Sequence, residues 1–146
     1  MAETVVLSKL LLIREREEKE AQKAYYRSQA LFEEVATYLY TLLRKKETAE
    51  ESYERYIQMT TPLERIKEQA AYIEKLNVQI QKLQEDVQRA RNEMDNKQVK
   101  LTDAHVEVKK FEKVIEHRRK TYTDYLQKKE NESMDELSIQ RYLHKN

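Results

Sequence analysis

The side chains best suited to acid–base or metal chemistry near neutral pH are three histidines, His105, His117 and His144, and no two of them share a helical turn. The one spacing that resembles a metal-ligand set is Glu112 with Glu116 and His117, and Lys113 and Arg118 flank it. It reads as a solvated charged face. The chain has no Cys, which removes thiol nucleophiles, thiolate metal sites and disulfides together and fits a reducing cytoplasm. No catalytic residue, cofactor or metal site is expected, because a slender helical chain has no water-excluding pocket in which to tune a pKa.

The remaining chemistry is charge and apolar surface. Lys109, Lys110, Lys113, Arg118, Arg119 and Lys120 form a basic run broken only by the acids Glu112 and Glu116. The whole chain is nearly neutral, with 28 Lys and Arg against 27 Asp and Glu, so no global field steers it to phosphate. Nucleic-acid readers usually carry a strongly basic domain or a recognisable reading fold, and neither is present. The basic run points to an acidic protein surface, and no nucleic-acid partner is expected.

The elements that position these residues must be helices. The 146 residues include no Gly, no Trp and one Pro, and 38% are charged, a composition of long solvated helices. The mean hydropathy of −0.98 would suit a disordered chain, but ten tyrosines and a regular apolar repeat argue for order. Every seventh residue from Ile66 onward is apolar: Ile73, Ile80, Val87, Met94, Leu101, Val108, Ile115 and Tyr122. Leu76, Leu83, Ala90, Ala104, Phe111 and Tyr125 supply a second row three residues on, completing a coiled-coil seam with a 3.5 period. That period predicts a left-handed supercoil.

The first half repeats the pattern loosely, with Ala21, Ser28, Val35, Leu42, Ala49 and Tyr56 in one row and Ala24, Leu31, Tyr38 and Met59 in the other. Thr61-Pro62-Leu63-Glu64 between the halves reads as a capping box with Thr61 as N-cap and Pro62 at the first helical position. The expected fold is all-α. An antiparallel coiled-coil hairpin covers residues 1–130, with helix 1 at about 5–59, a corner at about 60–61 and helix 2 at about 62–130. The apolar stretch from Val5 to Ile13 is too short to cross a bilayer and reads as the first turns of helix 1.

Folding about residue 60 sets residue n opposite roughly 120 minus n, pairing Leu42 with Ile80 and Leu31 with Ala90. Helix 1 then starts near residue 115, and His117 to Lys129 project beyond it. Arg118, Arg119, Tyr122 and Tyr125 on that projection are candidate partner-binding residues. A break at Asn131 to Ser133 and a second capping box, Ser133 to Glu136, predict a short separate helical tail over 131–146, ordered only where it packs.

A second candidate surface lies in helix 1. Phe32, Leu39, Tyr40 and Leu43 exceed what one partner helix covers, although Tyr25, Phe32, Leu39 and Tyr53 share a heptad position that could widen the seam instead. Lys97 sits at an inner position, and Glu20 is expected opposite as its register-fixing partner.

These residues resemble a known family. Lys9-Leu10-Leu11-Leu12-Ile13-Arg14-Glu15, Leu101-Thr102 followed by Val106-Glu107-Val108-Lys109-Lys110-Phe111-Glu112-Lys113, and Met134-Asp135-Glu136-Leu137-Ser138-Ile139 are similar to the FliJ family of flagellar type III export, in the form of Bacillus-like bacteria. Val5 and Val6 stand where members often carry an aromatic residue. The resemblance implies a coiled coil similar to the F-type ATPase rotor stalk and to the stalk proteins of type III secretion. It implies assembly with the ring of the FliI-like export ATPase, contact with the FlhA-like gate protein, and escort of export chaperones. Its implied location is cytoplasmic and peripheral to the inner face of the cell membrane. From the heptads alone, a parallel homodimer serving as tether or scaffold stands as the alternative to a hairpin that is monomeric when free.

Overall fold

A computed structural model of the chain describes residues 2–145. Met1 and Asn146, the outermost residues of the expected hairpin and tail, lie outside the described residues. Two long helices pack against each other: α1, Ala2–Gln58, and α2, Leu63–Lys145. Their length follows from composition, because without Gly, and with the only Pro at the corner, nothing interrupts the backbone ladder. Contacts along each helix reinforce it in small steps. Arg14 with Glu17, Lys46 with Glu50, Arg89 with Asp86 and Lys110 with Glu107 lie three or four residues apart, each contributing a few tenths of a kcal/mol, about 0.2–0.5.

Two compact units make up the fold, one formed by Glu20–Leu101 and the other by the chain through Lys19 with the chain from Thr102. The Glu20–Leu101 unit is a helical hairpin. Leu42, Ala49, Leu76 and Ile80 form its buried core, with Leu39, Ile73 and Leu83 packed against it. Gln69 Nε2 donates to the Ala49 carbonyl across the pair at 3.1 Å, and Arg65 lies over the Tyr56 ring. Leu42 and Ile80 share one core cluster, as folding about residue 60 requires.

The corner spans Met59 to Pro62. The Met59 amide still donates to the Arg55 carbonyl, ending α1. The Pro62 carbonyl accepts from the Arg65 and Ile66 amides, so α2 winds up from Pro62, one residue beyond the expected Thr61 cap.

The seam of α1 corrects the sequence expectation. Ser28, Leu42 and Ala49 are buried and Ala21, Val35 and Tyr56 half-buried, so the first row faces α2. Of the second row, three residues on, only Ala24 is half-buried. Leu31 and Tyr38 are exposed, while Tyr25, Phe32, Leu39, Lys46 and Tyr53, four residues on, are half-buried. Both rows are apolar enough to serve, and the four-residue step brings the larger aromatic groups inward. Ser28 is accommodated because its hydroxyl donates to the Tyr25 carbonyl at 2.6 Å.

Lys97 also departs from expectation. It is half-buried and reaches back to Glu93 at 3.5 Å within α2, while Glu20 pairs with Lys23 within α1. A neighbour one turn away costs less side-chain entropy than one across the seam, so Lys97 needs no acid from α1.

In the second unit, Val108 and Ile115 are buried and Leu7, Leu11, Arg14 and Glu18 turn inward from α1. Arg14 lays its guanidinium over the Phe111 ring at 5.7 Å. Glu18 meets His105 Nδ1 at 3.0 Å. Two ionic groups thus occupy seam positions; a terminal nitrogen of Arg14 reaches out to Glu17 at 3.0 Å while its Nε stays buried without a hydrogen-bond partner.

The expected break near residue 131 is absent, and α2 runs without interruption to Lys145. Asn131 and Ser133 cost only some tenths of a kcal/mol each inside a helix, about 0.5, and Lys128-Lys129-Glu130 before them and Asp135-Glu136-Leu137 after them are mostly strong helix formers.

Candidate docking surfaces

Residues 116–144 of α2 are exposed at every position. At 1.5 Å per residue this stretch measures roughly 40 Å, longer than the expected projection of residues 117–129. The first turn of α1 reaches its base, where Glu3 accepts a hydrogen bond from Arg118. Arg118 is therefore tied down, and the free stretch starts about one turn later than the sequence suggested.

Between that first turn and α2 lies an open groove of about 1200 Å³. Val5 and Leu12 line it from α1, Tyr122 and Tyr125 from α2, with Lys9 and Arg119 on its sides. Its volume exceeds the usual small-ligand range of about 300–1,000 Å³, and it is open to solvent, so it suits the side chains of a docking helix. The sequence reading expected no concavity. One forms because the side chains of Val5 and Leu12, and of Tyr122 and Tyr125, remain exposed where the buried seam has ended at Ile115.

Arg118, Arg119, Tyr122 and Tyr125, selected from sequence, are thus brought together on one wall. Lys9, Val5, Leu12 and His117 belong to the same groove and were missed. The signal was available, since the pairing rule itself sets residues 3–9 opposite about 111–117.

The α1 candidates separate. Tyr40, 62% exposed, and Leu43 face solvent. Phe32 and Leu39 are half-buried, and Leu39 packs against the hairpin core. His105 is engaged with Glu18, and among the described residues no group of three or more acids and histidines is placed to hold a metal ion. Among them, too, no helix is long and apolar enough to cross a membrane.

The family model described as "Flagellar FliJ protein" matches residues 4–146, a span that takes in the groove and the exposed stretch of α2. The chain belongs to the FliJ family. It is 32% identical over 143 residues to the flagellar FliJ protein of Bacillus subtilis strain 168, covering 98% of this chain and 97% of that relative. No solved structure matches the chain. Membership over almost the whole length makes the groove and the exposed helix parts of a FliJ chain.

Proposed function

We propose that this chain is a non-enzymatic component of flagellar protein export. It acts as a rotor-like coiled coil that promotes assembly of the FliI-like export ATPase ring, links that ring to the FlhA-like gate and escorts export chaperones. Family membership supports the export role. The observation that carries the structural part is the exposed α2 stretch, residues 116–144, which presents Arg119, Lys120, Tyr122 and Tyr125 with no helix of this chain covering them beyond the first turn of α1. A basic, aromatic single helix suits insertion among acidic subunit surfaces.

Tyr40 and Leu43 form a separate apolar surface suited to a chaperone or the gate. The protein works in the cytoplasm, peripheral to the inner face of the membrane through these partners. Co-purification with the export ATPase of the same organism, followed by hydrolysis rates with and without the chain, tests the reading. Complex formation with a raised rate is expected. No binding and an unchanged rate would remove it.

A further inference from the structure

The exposed stretch of α2 is divided by charge. Arg118, Arg119, Lys120, Lys128 and Lys129 stand in its first part against the acids Glu116 and Asp124, and Glu130, Glu132, Asp135 and Glu136 follow, with Arg141 as the one Lys or Arg beyond them before residue 145. Lys128 and Lys129 lie within one turn of Glu132, but a continuous helix holds Arg119 and Lys120 about 15 Å or more from Glu130 and the acids after it along the axis, so that part of the complementary charge can meet only on another molecule. Among the described residues, neither Lys128 nor Lys129 nor any of these four acids forms an ion pair within the chain.

The apolar residues are divided in the same way. Continuing the heptads of α2 puts Tyr122, Lys129, Glu136 and Leu143 in one row and Arg118, Tyr125, Glu132 and Ile139 in the other. Tyr122, Tyr125, Ile139 and Leu143 are all exposed, with the charged residues between them.

We propose that this face binds a second copy of the chain, the two α2 ends lying antiparallel about a two-fold axis near residues 130 and 131. In that register Tyr122 meets Ile139 of the other copy, Lys129 meets Glu132, and Arg118 meets Leu143. Lys128 and Asp135 pair at the flank. A two-fold axis makes every such contact twice. Ile139, Tyr142 and Leu143 of one copy then enter the groove lined by Val5, Leu12, Tyr122 and Tyr125 of the other, apolar surface against apolar surface. Parallel pairing is disfavoured because it sets basic against basic and acidic against acidic. Met134 and Leu137 lie off the seam. The charged central positions keep the association weak and reversible, so the hairpin stays folded in each copy.

Molar mass by light scattering or sedimentation, followed from about 1 μM to about 1 mM, is the first test. The mass should rise from 17.7 kDa toward twice that value with concentration, and the rise should shrink in high salt. Two charge-reversed chains sharpen it. Lys128→Glu with Lys129→Glu makes the four pairing positions 128, 129, 132 and 135 all acidic, and Glu132→Lys with Asp135→Lys makes the same four all basic. Each alone should remain a monomer with unchanged circular dichroism, and an equimolar mixture should form a heterodimer tighter than the parent pair.

Because the chain lacks Cys, orientation can be read directly. A chain with both Tyr122→Cys and Ile139→Cys should oxidise to a covalent dimer, whereas Tyr122→Cys alone should not. A mass fixed at 17.7 kDa throughout, or no pairing of the opposite-charge chains, overturns the proposal and assigns the face to a different protein. Efficient cross-linking through Tyr122→Cys alone overturns it in favour of parallel pairing.

Discussion

Replacing Leu76 with Ala tests the core of the Glu20–Leu101 hairpin. Leu76 is only 3% exposed and sits with Leu42, Ala49 and Ile80. The substitution removes three methyl or methylene groups, and at about 0.8 kcal/mol each the transfer contribution is about 2.4 kcal/mol. A cavity contribution adds to it, and Leu→Ala changes in packed cores span about 2–5 kcal/mol. A two-helix seam is open on both sides and can close partly over the gap, which places the expected loss near the lower end, about 2.5–3 kcal/mol. For a chain of this size that corresponds to a fall in Tm of roughly 5–10 °C. Urea unfolding followed by far-UV circular dichroism measures it, with Leu31→Ala as the matched control. Leu31 is 50% exposed, so its truncation should cost under about 1 kcal/mol. A Leu76→Ala loss below about 1 kcal/mol, or equal losses at the two positions, would refute the assignment of the seam.

Two smaller perturbations probe contacts across and along that hairpin. Glu20→Lys should leave stability within about 0.5 kcal/mol of the parent, because Lys97 is served by Glu93 in its own helix; a larger loss on urea titration would restore Glu20 as its partner. Gln69→Ala deletes the side-chain hydrogen bond to the Ala49 carbonyl and should cost about 0.5–1.5 kcal/mol in the same titration; no change would show that water replaces it freely.

Much of the fold could be read from residue types, and the gaps have physical causes. The α2 row from Ile66 to Ile115 is apolar at every seventh residue, and apolar residues beside it, such as Tyr72 and Val114, are isolated and form no competing row. In α1 two adjacent apolar rows compete: Leu31 stands beside Phe32 and Tyr38 beside Leu39. Periodicity cannot choose between steps of three and four residues when both neighbours are apolar. Asn131 and Ser133 suggested a helix end because such residues favour caps, yet a cap forms only where the backbone already leaves the helix, and no Gly or Pro forces that here. The groove escaped notice for another reason. Val5 and Leu12 lie far from Tyr122 and Tyr125 in sequence, and only the pairing of helix ends brings them to one place. Of Phe32, Leu39, Tyr40 and Leu43, only Tyr40 and Leu43 face solvent, because they lie off the rows that Leu42 and Leu39 define.

The most direct test of the export role is electron microscopy of ring formation by the export ATPase in three samples: ATPase alone, ATPase with the full chain, and ATPase with a full-length chain carrying Arg119→Glu, Tyr122→Ala and Tyr125→Ala. These side chains are exposed, so the variant should keep its circular dichroism and melting midpoint. The parent chain should increase the number of rings several-fold and the variant should not. Equal ring counts in all three samples, or rings formed as readily with the variant as with the parent, would contradict the account.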